Sequence, residues 1–470
     1  MGTISAAFSL ISQALDADQS GLSIIANNVG NANTPGYTRE VPVWQENPPI
    51  MVNGVAYGSG VTQTGPSSIR DRVLLERLDQ QQQMASASGA RLTALDGVQA
   101  LFPPDSGTAS ASAGDIGSDI TSFFSSFASL ESNPTDNALR QQVLSSATTL
   151  AGDVSNAAAS LNSQQAALDQ EASGVTSQVN ALTTALAQLN QQIQSTSPNT
   201  DAGTLEDQRQ QDISALSQLV GINQTTTENN GLTITTTSGQ LLVSEGQSFQ
   251  MTNGAVGGVT DFFVGGTDIT SQLASGGGEL GGYLTARDQD IPNALSSLDQ
   301  LAYNVSTQVN TLNNAGTDLA GDNGGAGDIF FQPAAVAGSA STMAVVMTDP
   351  KHIAAAGLGL GTGDNSNATA MANLANQTIV GGATPVNFYS NFVTTLGSTV
   401  SGVQTENTAQ NASVSQLQTQ NNALSTVNLD DEASNMQVLE RSYQAASQAF
   451  TILDNIMSSV LNLGEETTVT

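Results

Sequence analysis

The two ends of this chain carry matching apolar seams, which constrain its fold more than any other feature. Near each terminus, apolar residues recur with spacings that alternate between four and three. Such spacing places the side chains on one stripe of a helix, as in the seam of a coiled coil. The N-terminal seam comprises Ile4, Phe8, Ile11, Leu15, Leu22, Ile25 and Val29, and the C-terminal seam Leu429, Met436, Leu439, Tyr443, Ala446, Phe450, Leu453, Met457 and Val460.

Each seam has one polar member, Asp18 in the first and Glu432 in the second. Because the seams flank the whole chain, they predict that the termini meet beside a large middle, an arrangement typical of a subunit of an axial assembly. Neither seam has an obvious partner within a monomer, and ordering a lone terminus costs backbone entropy that its own burial does not return. We therefore expect residues 1–30 and 432–470 to be disordered in the isolated protein.

The charge of the chain excludes several classes of partner. The net charge is −31, from 41 acidic and 10 basic residues, and the single lysine is Lys351. A nucleic-acid partner or an anionic membrane surface needs a basic face, so neither is expected. There is no cysteine, which excludes disulfides and thiolate metal sites.

The first 30 residues have no basic segment and no continuous apolar core, so a cleaved secretory signal is not expected. No stretch reaches the ~18 apolar residues of a membrane span. Composition leaves two possibilities open, a cytoplasmic protein or one exported by a route that reads no cleavable signal.

The sequence of the middle of the chain predicts long helices with β segments. Residues 38–70 indicate short strands, and helical patterns cover about 69–101, 137–196 and 203–219, although Gly152 and Gly174 weaken the case for one unbroken rod. Residues 221–280 alternate and are rich in Thr, Val and Ile, which indicates a β module. Helix returns at Ile291, and a last long helix begins near Phe388 and breaks at 427–429. The Gly-, Ala- and Asn-rich stretch 315–385 is predicted to form loops with short strands.

These patterns predict a mainly α fold with β modules. Paired terminal helices (1–37 plus 428–470) form an axial coiled-coil core. A long-helix bundle comprises 38–220 plus 281–427, and residues 221–280 form an inserted outer β domain.

Nothing in the sequence predicts an enzyme. The one histidine, His352, has no paired nucleophile and cannot form a zinc triad, so it is interpreted as a loop residue. Residues 321–330 partly resemble a calcium-binding repeat with Asp322 and Asp328, but as a single copy of the wrong spacing they are interpreted as a turn. We expect no catalytic residue, cofactor or metal.

The breaker segment after the first helix points to a family. Asn27, Asn28, Asn31, Asn33, Thr34, Pro35, Gly36 and Tyr37 form a motif that resembles the signature of bacterial flagellar rod, hook and hook-associated proteins. Residues 278–316 and the tail from Asn428 are similar to the hook-associated protein 1 family.

The resemblance implies a structural subunit at the hook–filament junction, exported unfolded through the flagellar type III apparatus and therefore extracellular. It implies a tubular homo-oligomeric ring with hook protein below and hook-associated protein 3 (FlgL) above, in which the terminal helices pack together along the inner wall and the β module projects outward. A FlgN-like export chaperone would bind Met436, Leu439, Tyr443, Phe450 and Leu453. The alternatives are another axial protein, such as the hook protein, or a secreted binding protein with helical stalks.

Overall fold

The computed structural model describes residues 2–52, 54–103, 115–198, 200–324 and 326–466. The α-helices are α1 (Gly2–Asn31), α2 (Arg72–Ala100), α3 (Ile116–Ser132), α4 (Asn137–Thr196), α5 (Thr204–Leu219), α6 (Thr270–Gly276), α7 (Gly278–Thr285), α8 (Ile291–Ala315), α9 (Ser339–Thr342), α10 (Ser366–Asn373), α11 (Pro385–Ser425) and α12 (Leu429–Glu466). The strands are β1 (Glu40–Glu46), β2 (Ile50–Val52), β3 (Val55–Tyr57), β4 (Val61–Ser68), β5 (Ile222–Thr226), β6 (Leu232–Thr236), β7 (Leu241–Ser244), β8 (Gln247–Ser248), β9 (Met251–Val256), β10 (Val259–Val264) and β11 (Thr267–Asp268). Among the described residues, no helix combines the length and apolar character that a membrane span needs.

The predicted mainly helical fold with paired terminal helices is confirmed. Helix α1 packs along α12, and the strands between 38 and 70 form one long hairpin against α1. In that hairpin β1 pairs antiparallel with β4, and β2 pairs with β3 at its tip. The hairpin therefore accompanies the terminal pair as a third layer.

A first hydrophobic core lies within the helical bundle. It joins α2, α3, the N-terminal half of α4, α8 and α11, and includes the fully buried Phe123 and Phe127. The side chain of Asp136 caps α4 by accepting from the amides of Ala138 and Leu139, which confirms the predicted break before residue 137. Helix α4 is one continuous helix of 60 residues in spite of its glycines.

A second hydrophobic core joins the β module to the other half of α4. Its sheets have the orders β5-β6-β7-β8 and β11-β10-β9, and they pack with α5 and α7 on the C-terminal half of α4. The buried Arg287 strengthens this joint, because its guanidinium pairs with Asp169 of α4 and donates to the carbonyl of Thr260 in β10. Helix α4 thus contributes to both cores.

The stretch 315–385 differs in part from its prediction. In its described part, 315–324 and 326–385, there are short helices and isolated bridges but no strands, so the expected strands were wrong. Here buried amide side chains, rather than neighbouring strands, form hydrogen bonds with the backbone. The Oδ1 atom of Asn310, for example, accepts from the backbone amides of Ile329 and Phe330, at 3.0 Å each.

Candidate assembly site

The terminal helices pack antiparallel, and their seams face each other within one chain. The rings of Phe8 and Phe450 meet edge to face with centroids 4.4 Å apart. Further along, a Cβ placed on Gly21 would lie 2.8 Å from Leu439 Cδ1, so the backbone of α1 approaches α12 closely there. The expectation that neither seam has a partner in the monomer was therefore wrong, because each seam is the other's partner. The predicted disorder of residues 1–30 and 432–470 in the isolated protein rested on that expectation and loses its basis.

The seam residues differ in how well this pairing covers them. Ile25 is buried, and a larger group is partly buried: Ile4, Phe8, Ile11, Leu15, Leu22, Met436, Leu439, Ala446, Phe450, Leu453 and Met457. Four residues remain exposed: Val29, Leu429, Tyr443 and Val460. The structure thus brings most of the predicted seam together, and the exposed four are not covered by the pairing.

Asn28 holds together the base of the terminal pair, the end at which α1 finishes and α12 begins. Its Nδ2 donates to the backbone oxygen of Glu40, at 2.8 Å, and to the Glu432 carboxylate, at 3.3 Å. Its Oδ1 accepts from the Tyr37 hydroxyl, at 2.8 Å, and from the Glu40 amide, at 3.0 Å. One buried amide therefore joins α1, the motif loop, β1 and α12, which explains why the motif has asparagine here.

The rest of the motif shapes the turn that leaves α1. Asn31 donates to both the backbone and the side-chain oxygen of Asn27 and accepts from the Thr34 hydroxyl. Gly36 has φ +75°, and a Cβ on it would clash with the side chain of Gln211. The carbonyl of Pro35 accepts from that same Gln211 amide, so the loop docks on α5. Asn33 is exposed.

Glu432 forms the second anchor of α12. Its buried carboxylate accepts from Arg39 Nε at 2.6 Å in addition to Asn28. The Arg39 amide also donates to the carbonyl of Ser425, the last residue of α11. The polar member of the C-terminal seam is therefore the residue that ties α12 to the start of the hairpin, whereas Oδ2 of the other polar member, Asp18, is buried with no hydrogen-bond partner among the described residues.

A buried charge network fixes this base to α5. The Asp207 carboxylate accepts from the amide and the hydroxyl of Thr38, at 2.9 and 2.6 Å. Arg70 pairs with Asp207 at 2.6 Å and also with Glu206, which in addition pairs with Arg72 at 3.1 Å. Sequence reasoning missed this network. Its available signal was the clustering of arginines at the two ends of the hairpin in a chain with so few basic residues.

Burial and neighbouring carboxylates shift the pKa values of titratable groups at the base. Burial, reinforced by the nearby charge of Glu40, raises the pKa of the Tyr37 hydroxyl to about 12. Burial also raises the pKa of Glu40, although a hydrogen bond from Asn27 opposes the shift. Tyr37 therefore remains a neutral donor to Asn28 at any physiological pH.

One cluster of possible metal ligands lies far from the terminal pair. Within the described residues, ligand atoms of Asp318, Asp322 and His352 lie within 4.8 Å of one another. His352 Nδ1 lies 2.7 Å from Asp318 Oδ2, and the other oxygen of Asp318 accepts from the Asp322 amide. Asp328 accepts from Asn314 instead, so the structure does not pair Asp322 with Asp328. Hydrogen bonds within the cluster account for its arrangement.

Comparison with known proteins identifies the family. The family model described as "Flagellar hook-associated protein FlgK helical domain" matches residues 106–331, and "Flagella basal body rod protein" matches residues 12–38. "Flagellar hook-associated protein 1" of Escherichia coli is 25% identical over 96% of this chain and 98% of its own length. The protein of the same name from Bacillus subtilis is 27% identical over 96% of each chain. Over 96% of its length, the chain is similar to flagellar hook-associated protein 1.

The fold agrees with this similarity. The flagellar hook junction protein FlgK from Burkholderia pseudomallei superposes with a TM-score of 0.64, at 18% identity, over 73% of this chain and 99% of that one. The chain is a structural protein of the bacterial flagellum, similar to hook-associated proteins. The prediction of this family rather than the hook protein is confirmed.

Proposed function

We propose that the α1–α12 pair is the part of this junction protein that assembles with copies of itself into a tubular ring. The exposure of α12 carries the proposal: among residues 429–460, the side chain of Glu432 alone is buried. Helices obtain most of their stability from packing rather than from intrinsic propensity. A helix this exposed gains that packing from neighbouring copies, and its exposed Leu429, Tyr443 and Val460, with Val29 of α1, complete their burial there.

The ring connects two partners along the axis, hook protein below and hook-associated protein 3 above, and it contains neither nucleic acid nor membrane. Purified protein incubated with hook fragments tests this directly by negative-stain microscopy. We expect added density at one end of each fragment, and none for a chain that lacks residues 1–31. Bare hook ends with the full-length chain would contradict the role.

The chain reaches this site by export in the unfolded state, with no cleaved signal, through the flagellar type III apparatus. A FlgN-like chaperone binds Met436, Leu439, Tyr443, Phe450 and Leu453 in the helix-in-groove manner. Except for Tyr443, these side chains are partly covered by α1 in the folded chain. Chaperone binding and the folded terminal pair therefore exclude each other, which keeps the chain competent for export.

The Tyr443→Ser, Phe450→Ser variant tests the chaperone site. We expect its affinity for the chaperone to fall at least tenfold in a titration. The matched control is Val438→Ser with Ile452→Ser, which removes as many apolar side chains from the outer face of the same helix and should leave the affinity unchanged. Equal affinities for both variants would refute the assignment.

A further inference from the structure

Helix α12 carries a second apolar stripe that the described part of the chain leaves largely uncovered. At 3.6 residues per turn it lies roughly a quarter to a third of a turn away from the seam that faces α1. Two of its members are among the most exposed apolar residues of the protein, Val438 at 63% and Ile452 at 59%. The stripe comprises Val438, Ala445, Ala449, Ile452, Ile456 and Val460.

The tip of the N-terminal hairpin is a second uncovered apolar surface. Its exposed side chains are Ile50, Met51, Val55 and Tyr57, and Met51 is 64% exposed. The whole segment 47–60 has no charged residue. In a chain of net charge −31, the repulsion between two copies is weakest where their surfaces carry little charge, and this tip is such a surface.

The hairpin tip and the C-terminal part of the stripe lie at the same level along the axis of the terminal pair, which is called height below. The hairpin runs beside α1 toward its N-terminus, whereas α12 runs antiparallel to α1. Contacts between α1 and the hairpin, from base to tip, are Asn28 with Glu40, Gly21 with Trp44 and Gln13 with Asn47. Contacts between α1 and α12 in the same direction are Asn28 with Glu432, Gly21 with Leu439 and Phe8 with Phe450.

The strand rise extends this register to the tip. Residues 47–49 lie outside the strands, but the Asn47 amide donates to the Gly60 carbonyl, which keeps the two segments of the hairpin together. At ~3.3 Å per residue, Met51 lies at most about 13 Å further on. That distance equals about nine residues of helix. Met51 is therefore level with the first turns of α1 and with the region of Ile452 and Ile456 on α12.

We propose that in the assembled junction the β2–β3 tip of one copy packs against Ile452, Ile456 and Val460 of the next copy. The inference rests on the proposed ring, because rotation about an axis parallel to the helices brings together surfaces of equal height. The contact is heterologous, since tip and stripe are different surfaces, and it therefore propagates around the ring. It also buries the two apolar surfaces that the folded chain leaves open.

Cysteine pairs test the contact, because the chain has no cysteine of its own. Cells would produce two forms of the chain that differ in size, one with Met51→Cys and one with Ile456→Cys. After mild oxidation of flagellated cells we expect a disulfide-linked product of mixed size, since a disulfide forms only between Cα atoms closer than ~7 Å. The matched control replaces Ile456→Cys by Val438→Cys, on the same stripe but ~27 Å lower, and should give no such product.

The outcomes separate this contact from the junction role. Flagellated cells without the 51–456 product, or with a 51–438 product or a link from position 51 to another axial protein, would overturn the contact and leave the junction role intact. Failure of the unsubstituted chain to add density to hook fragments would instead remove the junction role.

A second measurement uses charge. Met51→Lys and Ile456→Glu should each reduce the fraction of filamented cells at least tenfold, and the combined variant should recover it. Single variants with normal filaments would also overturn the contact.

Discussion

At the scale of single residues, Asn28 joins segments that lie more than four hundred positions apart in the chain. It makes four hydrogen bonds, to Glu40 twice, to Tyr37 and to Glu432. Each partner is at least partly buried, so removal of the amide leaves donors and acceptors that water does not readily reach. Asn28 therefore makes a large contribution to the stability of the base of the terminal pair.

We expect Asn28→Ala to destabilise the docking of α12 by about 1–3 kcal/mol, because buried polar partners lose their hydrogen bonds. Hydrogen exchange of the α12 amides measures this as faster opening. Asn33→Ala, at an exposed position of the same motif, is the control and should exchange like the unsubstituted protein. Equal exchange in the two variants would show that Asn28 does not hold α12.

Asp79 is a buried carboxylate in α2 without an ion pair among the described residues. It accepts from Ser214 Oγ at 2.7 Å and from Gln210 Nε2 at 2.9 Å. Burial raises its pKa to about 6, although these hydrogen bonds oppose the shift. Since the folded-state pKa lies above the unfolded value of ~3.9, the folded protein binds more protons between these values, and stability falls as pH rises through that window.

Asp79→Asn should therefore gain stability relative to the unsubstituted protein as pH rises from 4 to 7, by up to ~3 kcal/mol. Urea unfolding at pH 4, 5.5 and 7 measures the difference. The exposed Glu228→Gln, which also removes one carboxylate, should show no such trend. A difference between Asp79→Asn and the unsubstituted protein that stays constant with pH would contradict the expected pKa.

At the scale of elements, the close approach of α1 and α12 depends on Gly21. The nearest groups to its missing side chain are Leu439 Cδ1 and the ring of Trp44, the only tryptophan of the chain. A branched side chain there would push α12 and β1 away from α1. The tryptophan thus reports on the very contact that the glycine permits.

Gly21→Val should lower the stability of the terminal pair by about 1–3 kcal/mol through overpacking. The thermal transition followed by Trp44 emission should shift to lower temperature. Gly30→Val is the control, because a Cβ at Gly30 meets nothing within 4 Å and the same helix pays the same propensity cost. Coincident transitions for the two variants would refute close packing at Gly21.

The sequence predicted elements better than it predicted their environment. The seams, the breaks at 133–136 and 427–429 and the β-rich segments were visible because periodicity and breaker residues are local signals. The second stripe of α12 was not predicted, because the seam is the more continuous of the two stripes in the sequence. For the network of Arg70, Glu206 and Asp207, the clustered arginines were a signal, but they do not identify the acidic partners, which they meet only through tertiary packing.

At the scale of the whole molecule, the two hydrophobic cores and the terminal pair are separate. Among the described residues, neither core includes a side chain from α1 or α12. The division into an axial core, a bundle and a β module stays a proposal. Within the middle, the β module shares its core with the C-terminal half of α4.

The separation implies that folding of the middle and assembly of the termini can be tested independently. A chain that lacks residues 435–470 keeps both cores and should remain soluble and folded, with a far-UV spectrum reduced only by the lost helix. Its exposed α1 seam loses its partner, so the terminal pair cannot form. Assembly, rather than folding, is the property that this deletion should remove.

The most direct measurement is therefore the flagellation of cells in which the 435–470 deletion replaces the full-length chain. If the terminal pair joins hook to filament, these cells carry hooks without filaments and release filament protein into the medium, while the deleted chain is present and folded. Normal filaments on these hooks would contradict the assignment of α12 to assembly.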